Sequence, residues 1–222
     1  MKKRWIVATI LGLLAIAFTV ALKFVDVKTI TVGSQMTEIG FGTTNTTIFT
    51  SIKSEKNWLT VSNIMIAAII VAGVLFAGLG FVQLVKRKSF KKVDWQIKML
   101  GLTYILMLCV YVFFEKICVF NYRPVLIDGN LEASFPSSHT LFATTIALTV
   151  MMILPTYVKS KAVSIILSLI LGAMVFITAN GRIAGGVHWT SDVIGGVLYG
   201  AFLASIYYCL AGLGKKKEYL DE

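Results

Sequence analysis

Charged residues are scarce in this chain of 222 residues. Asp, Glu, Lys and Arg make up 14% of it, whereas roughly a quarter is usual in soluble domains. Hydrophobic residues make up 57%, and the mean hydropathy is +0.81. The shortage of charge excludes an ordinary soluble protein and leaves no room for a sizeable soluble domain. We therefore place the chain among integral membrane proteins.

Histidine and cysteine are also rare, with two and three residues respectively. Cys109 and Cys209 fall inside apolar runs and Cys118 stands alone, so no pair has the spacing of a zinc site or a disulfide framework. We interpret all three as small apolar residues. No grouping of His, Asp and Glu offers a cage for zinc or a hard cation. No metal or other cofactor is predicted.

The net charge of +10 would favour a nucleic-acid partner in a soluble protein. Here most Lys and Arg lie at the ends of apolar segments, where they set orientation. No basic stripe lies on a soluble domain, so no nucleic-acid partner is expected. Membrane lipids are the expected surroundings, and the sequence does not indicate an oligomeric state.

Six apolar stretches are long enough, or nearly so, for the about 20 helical residues that cross a bilayer. They predict an all-α integral membrane protein with six transmembrane helices in one polytopic domain over 1–222. The first stretch also resembles a signal peptide, but it has no persuasive cleavage site, and we expect a retained span. The predicted spans are 5–22, 60–85, 95–115, 139–158, 161–180 and 190–212.

The distribution of Lys and Arg predicts the orientation. With the N-terminus inside, 13 fall on the inner side and 7 on the outer side, and Lys98 lies within the third span. This excess favours both termini on the cytoplasmic side of the cell membrane. The inner set is Lys2, Lys3, Arg4, Lys86, Arg87, Lys88, Lys91, Lys92, Lys159, Lys161, Lys215, Lys216 and Lys217, and the outer set is Lys23, Lys28, Lys53, Lys56, Lys116, Arg123 and Arg182.

Three polar segments interrupt the second half of the chain, at 116–124, 135–139 and 181–192. Alternation of the spans puts all three at the outer membrane face. Ionisable groups near lipid are costly, so this placement predicts one functional site there. The Thr-rich segment 23–57 lies on the same face, either as an interfacial element over the site or as an ordinary loop. Within it, Asn45-Thr46-Thr47 fits a glycosylation acceptor, which is a weak signal.

Three cations in the polar segments predict a pocket for an anion. Arg123 and Arg182 suit bidentate recognition of phosphate, with Lys116 as a third positive charge. The helices that follow the second and third segments direct their N-termini at the same pocket. Pro136 favours a helix start there, and Ser137 or Ser138 suits its cap. We therefore include both serines among the phosphate-binding residues.

His188 and Asp192 are four residues apart, so on a helix they share a face. The carboxylate can then hold one ring nitrogen and leave the other free to attack. His139 remains as a general acid for the departing oxygen. Taken singly, Lys116 is typical of a lysine at the membrane interface and Trp189 of the aromatic belt. Trp189 fits that belt better than a substrate role, but the coincidence of Lys116, His139, His188 and Asp192 on one face favours the catalytic interpretation.

The combined pattern resembles a known signature. Lys116-x6-Arg123-Pro124, Pro136-Ser137-Ser138-His139 and Arg182-x5-His188-x3-Asp192 are similar to the three motifs of the type-2 phosphatidic acid phosphatase superfamily. The resemblance covers most of residues 95–212, and the short membrane layout resembles bacterial phosphatidylglycerophosphatases of type B. It implies a metal-independent phosphoric monoester hydrolase that acts through a phosphohistidine.

The resemblance also implies a role for each residue. His188 attacks phosphorus, Asp192 orients it, and His139 protonates the leaving group. Lys116, Arg123 and Arg182 hold the phosphoryl oxygens and stabilise the transition state. Two positions depart from the family pattern, because Ser138 stands where glycine is usual and Gly181 where serine is usual. Both positions keep backbone N–H donors, but a serine hydroxyl is lost at 181.

The expected substrate is a lipid phosphomonoester, with phosphatidylglycerophosphate preferred. The alternatives are undecaprenyl diphosphate, which is a polyprenyl substrate, and phosphatidic acid. The motifs recognise phosphate and indicate little about the rest of the lipid. Transfer of the phosphoryl group to an alcohol would use the same residues. An anion transporter is the alternative outside enzymes, although no inverted repeat accompanies the cations.

Overall fold

The computed structural model describes residues 2–52 and 54–213. Lys53 and the lysines at 215–217, which were counted for orientation, lie outside the described residues. Over the described ranges the elements run in this order: α1 (Lys2–Phe24), β1 (Lys28–Val32), β2 (Gln35–Ile39), α2 (Gly42–Ser51), α3 (Lys56–Arg87), a 3-10 turn (Phe90–Lys92), α4 (Trp95–Val112), a π-helical turn (Phe113–Ile117), α5 (Ser138–Tyr157), α6 (Lys161–Ala184) and α7 (Thr190–Leu210).

Six of these helices are long and apolar enough to cross a membrane, which confirms the predicted all-α membrane fold. They are α1, α3, α4, α5, α6 and α7. The helix α3 is longer than its predicted span by a few residues at both ends. α4 continues into the π-helical turn, so the third span reaches Ile117.

The helices α5 and α7 form the centre of the bundle. In their membrane-spanning windows 61% and 50% of the residues are buried, against 22% in α3 and 17% in α6. Glycines on α7 allow this close packing, as small residues do between membrane helices. A Cβ atom at Gly196 would lie 2.9 Å from the carbonyl oxygen of Ser137, and one at Gly200 would lie 3.1 Å from that of Leu141. The two backbones are therefore in near contact.

The segment 23–57, predicted to lie on the outer side and called the outer segment below, contains a β-hairpin followed by the helix α2, so it is not an ordinary loop. The strands β1 and β2 pair antiparallel through a two-residue turn. Gly33 begins this turn with a φ of 61°, a conformation that glycine adopts without strain. Asp26 then fixes the start of α2, because its carboxylate accepts two hydrogen bonds from Thr43. The backbone N–H of Thr43 donates at 2.7 Å and the hydroxyl of Thr43 at 2.9 Å.

A polar cluster joins three helices at the opposite end of the bundle. The Asp94 carboxylate accepts hydrogen bonds from Arg87 at 2.6 Å, from Gln83 at 2.8 Å and from Tyr157 at 2.8 Å. Burial tends to raise the pKa of Asp94, but these hydrogen bonds outweigh it and hold the pKa below its usual value. The cluster ties the end of α3 and the end of α5 to the start of α4.

Candidate active site

The three polar segments meet at one end of the helix bundle. Arg123 lies in the connection between α4 and α5, and His139 lies in the first turn of α5. Arg182 lies in the last turn of α6, and Asp192 in the first turn of α7. His188 belongs to the short loop between those two helices. Side chains separated by up to about seventy positions in sequence therefore converge at one place.

His188 is 2% exposed and contacts Arg123 directly. The Nη1 atom of Arg123 lies 3.0 Å from Nε2 of His188. A guanidinium only donates hydrogen bonds, so Nε2 is the acceptor and carries a lone pair, while the ring proton sits on Nδ1. The same Nη1 also donates to the carbonyl of Val187 at 3.2 Å, and Nε pairs with Glu132 at 3.1 Å. Arg123 is thus held against the free nitrogen of the imidazole.

Asp192 lies on the other side of the ring, but it does not share a helical face with His188. His188 precedes α7, whereas Asp192 is the third residue of α7, so the prediction that the two share a helical face is wrong, although the side chains do lie next to each other. Its Oδ2 accepts the backbone N–H of Trp189 at 3.0 Å, which caps the helix, and lies 3.6 Å from Nδ1 of His188. A small approach would close this gap to a hydrogen bond.

The environment of His188 keeps the imidazole neutral. Burial lowers its pKa well below the usual value, and the positive charges of Arg123 and Arg182 lower it further. A neutral ring with an unprotonated Nε2 is the form that can act as a nucleophile.

Arg182 and His139 complete the cluster. Arg182 is 6% exposed, and its Nη1 donates to Oδ1 of Asn63 on α3 at 3.2 Å. His139 is partly buried, and its Nδ1 has no hydrogen-bond partner among the described residues. It is near enough to Arg182 and Arg123 to be affected by their positive charges. Two histidines and two arginines therefore lie in one region of the structure.

Three other predicted phosphate-binding residues are placed differently. Lys116 has a side chain that is 71% exposed, and its amine lies 3.9 Å from Glu115. Ser137 is fully buried at the N-cap of α5, but its hydroxyl accepts from Thr140 at 3.2 Å and makes no capping bond. Ser138 begins α5, so Pro136 lies outside the helix rather than in its first turn. Within the described residues, none of these three side chains forms a hydrogen bond or ion pair with His188, His139, Arg123 or Arg182.

Two further interpretations are corrected by burial. Trp189 is 3% exposed, donates from its indole to the carbonyl of Tyr122 at 2.7 Å and packs on Phe49 at 5.3 Å. It is therefore a core residue and not part of an aromatic belt. Asn45 is 2% exposed and both amide atoms are hydrogen-bonded, so it is not available for glycosylation.

Comparison with known proteins assigns the family. The family model "PAP2 superfamily" matches residues 97–214, more than half of the chain. The chain belongs to the PAP2 superfamily. Among solved structures, the "first transmembrane PAP2 type phosphatidylglycerolphosphate phosphatase from Bacillus subtilis" is similar with a TM-score of 0.60. The identity is 18% over 95% of this chain and 98% of that one, so the likeness concerns the fold. Among curated proteins, none matches the sequence.

The departure of this PAP2 chain at position 181 has a packing reason. A Cβ atom at Gly181 would lie 2.7 Å from Cβ of Ser62 and 3.0 Å from the carbonyl oxygen of Trp58. Both belong to α3, which therefore lies too close to α6 for a serine at this position. The same approach brings Asn63 within reach of Arg182. In this chain the polar group that contacts Arg182 is Asn63 on α3. The PAP2 pattern instead has a serine beside the arginine, at position 181 on α6.

Three residues that contact the PAP2 motifs were missed from the sequence. Glu132 pairs with Arg123, Asn63 accepts from Arg182, and Asn121 donates to Asp192 at 3.1 Å. Asn121 stands two positions before Arg123, inside the variable part of the first motif. The available signal was its amide side chain in the variable stretch 117–122, whose other residues are apolar or aromatic. In the described part of the chain, no group of three or more His, Cys, Asp or Glu residues could hold a metal ion.

Proposed function

We propose that this PAP2 membrane protein is a lipid phosphatase that removes a phosphoryl group through a phosphohistidine on His188. The contact between Arg123 and the unprotonated Nε2 of His188, at 3.0 Å in a buried site, carries the proposal. It places a phosphoryl-binding cation next to a nucleophilic nitrogen. A phosphate drawn to the guanidinium arrives beside the atom that attacks it.

In the first step Nε2 of His188 forms a bond to phosphorus and the bond from phosphorus to the lipid oxygen breaks. Arg123 moves its hydrogen bond from Nε2 to a phosphoryl oxygen, and Arg182 binds a second one. Asp192 stabilises the imidazolium that develops, through Nδ1. His139 gives a proton to the departing oxygen, and the lipid alcohol leaves.

In the second step water attacks the phosphohistidine. His139, now neutral, takes a proton from this water, so the N–P bond breaks and inorganic phosphate is released. His188 returns to its neutral state with Nδ1 protonated. The protons balance over the cycle, because the one given to the lipid alcohol is recovered from water.

Labelled phosphate distinguishes this mechanism from its alternatives. Wild-type protein incubated with a ³²P-labelled phosphate ester and quenched in alkali should carry acid-labile label, and His188→Ala should carry none. His139→Ala should still label when the leaving group needs no proton, such as a nitrophenolate, and should release the label slowly. An anion transporter would show no label in any variant. Label retained in His188→Ala would contradict the assignment of the nucleophile.

The substrate within this class is proposed to be phosphatidylglycerophosphate. The neighbouring solved structure is described as a phosphatidylglycerolphosphate phosphatase, and the site lies at the end of the helices, where lipid headgroups lie. Values of kcat/KM for phosphatidylglycerophosphate, phosphatidic acid and undecaprenyl diphosphate test this order. A higher value for either alternative would replace the proposed substrate, and a phosphorylated alcohol formed with glycerol present would indicate transfer.

The site end is proposed to face outside the cell membrane. Support comes from the basic residues at the opposite end, which are Lys86 and Arg87 in the last turn of α3 and Lys88, Lys91 and Lys92 in the connection to α4. Met36 in the hairpin is 75% exposed and Phe90 at the other end is 66% exposed. In intact cells expressing variants whose three native cysteines are replaced by serine, a membrane-impermeant thiol reagent should label Met36→Cys and not Phe90→Cys. The reverse pattern would invert the orientation.

A further inference from the structure

A buried polar cluster lies behind the candidate nucleophile and extends into the outer segment. It consists of Asn45 on α2, Asn121 in the connection before α5, and Ser191 and Asp192 at the start of α7. Their exposed fractions are 2%, 0%, 3% and 0%. Polar groups buried to this degree need protein partners, since unpaired ones cost free energy. Only Asp192 is a defining residue of the PAP2 motifs, because Asn121 and Ser191 stand at variable positions within them.

The Asn121 amide has one orientation that satisfies its neighbours. Its Oδ1 accepts the backbone N–H of Gly40 at 3.2 Å. Its Nδ2 is then directed at Asp192, where it lies 3.1 Å from Oδ1, and at Ser191, where it lies 3.4 Å from Oγ. A flipped amide would set oxygen against a carboxylate and nitrogen against an N–H. The outer segment therefore determines which end of Asn121 faces Asp192.

Asn45 holds the same corner from the other side. Its Nδ2 donates to the hydroxyl oxygen of Ser191 at 2.8 Å and to the carbonyl of Gly40 at 2.9 Å. Its Oδ1 accepts the backbone N–H of Ser191 at 3.1 Å. Two hydrogen bonds thus tie α2 to the first turn of α7, one residue before the carboxylate.

The two oxygens of Asp192 have separate partners. Oδ1 takes the hydrogen bond from Asn121, while Oδ2 takes the N–H of Trp189 and faces Nδ1 of His188. Without the first bond, Oδ1 loses this donor and the N–H of Trp189 holds the carboxylate through Oδ2 alone. The bond from Asn121 therefore sets the direction in which Asp192 presents its charge.

We propose that Asn121 is a positioning residue that directs the Asp192 carboxylate toward His188, and that Gly40 and Asn45 of the outer segment hold Asn121 and Ser191 in place for it. This rests on the proposed function, because the role of Asn121 is defined by the reaction at His188. The outer segment is then part of the catalytic apparatus, although it lies outside the residues that the family model matches.

Two variants of Asn121 test the proposal. Asn121→Leu removes the donor at similar volume and should lower kcat about 10- to 100-fold, the same range as for removing a hydrogen-bonding partner that orients a metal ligand in metalloenzymes. KM should change less than about threefold, since no phosphate contact is lost. Asn121→Asp can donate only when protonated, so its kcat relative to wild type should rise as the pH is lowered from about 8 to about 6.

Thr19→Val is the matched control, because it removes a different buried hydrogen bond, between Thr19 and Tyr199 at 2.9 Å. It should lower the melting temperature, followed by tryptophan fluorescence, and leave kcat unchanged. A double-mutant cycle with Asp192→Asn completes the design. The two substitutions should be non-additive in kcat, because Asn121 acts only through Asp192.

The outcomes separate as follows. A reduced kcat, non-additivity and a pH-dependent Asn121→Asp together support the proposal. An Asn121→Leu protein that loses thermal stability but keeps its kcat overturns it, as does an Asn121→Asp profile parallel to that of wild type. If wild-type protein forms no phosphohistidine on any phosphate ester, the proposed function fails and the positioning role fails with it.

Discussion

Replacing Gly181 by serine restores the residue that is usual in the PAP2 motif, yet we expect it to damage this protein. The new Cβ atom would lie 2.7 Å from that of Ser62 and 3.0 Å from the carbonyl oxygen of Trp58. Ordinary contacts between such atoms are 3.5–4.0 Å. Neither group is the flexible end of a side chain, so α3 as a whole must move away from α6.

The magnitude follows from two opposing effects. Overpacking of this kind costs about 1–3 kcal/mol. Serine in place of glycine gains about 0.5 kcal/mol in helix propensity. The same substitution at a glycine with free space around it isolates the overpacking, because it gains the helix propensity without the close contacts. Gly101 on α4 is such a glycine, since nothing lies within 4 Å of its Cβ position. Relative to Gly101→Ser, Gly181→Ser should therefore be less stable by about 1–3 kcal/mol.

The assay is the melting temperature of the purified protein in detergent. For a chain of this size each kcal/mol corresponds to about 2–4 °C, so we expect Gly181→Ser to melt about 2–12 °C below Gly101→Ser. The displacement of α3 also carries Asn63 away from Arg182, and KM for the phosphate ester should rise. Equal melting temperatures and equal KM values for the two variants would refute the packing explanation for the glycine.

Three further predictions concern the site and the opposite end. Because burial and the arginines hold the pKa of His188 well below its usual value, kcat/KM corrected for substrate ionisation should not fall as the pH drops through 6.5; a fall there would contradict a neutral resting imidazole. Asn63→Ala should raise KM several-fold with kcat little changed, as measured by steady-state kinetics, since it frees Arg182. Asp94→Asn should cost about 1 kcal/mol at neutral pH. Because folding lowers the pKa of Asp94, the stability that the carboxylate contributes is fully present above the unfolded pKa near 3.8 and is lost as the pH falls through the folded pKa. The difference in melting temperature between Asp94→Asn and wild type should therefore shrink in acid. A difference that stays constant would contradict this.

The six spans were predictable because each is a long apolar run, and alternation of those runs placed the polar segments at one end. Hydrophobicity gives no such signal for the strands β1 and β2, which have five residues each and alternate only partly. The hairpin in the outer segment was therefore missed.

Contacts across long separations account for the other omissions. Asn121 and Asp192 are 71 positions apart, and Arg182 and Asn63 are 119 apart. Nothing in one sequence pairs them, although the catalytic residues could be grouped by their spacing. Trp189 was assigned to the aromatic belt because its neighbours are polar, yet tertiary packing buries it. Lys116 was grouped with the arginines by motif, and its side chain is exposed beside Glu115.

The near contact between α5 and α7 has a consequence for how the protein meets different bilayers. These two helices carry His139 and Asp192, and their backbones touch at Gly196 and Gly200. Helices respond to a thicker or thinner bilayer by tilting, and α3 and α6 have the least buried spans of the six. We expect changes in lipid chain length to strain the contact of Arg182 with Asn63 first. Membrane thickness would then act on phosphate affinity and leave the geometry between α5 and α7 intact.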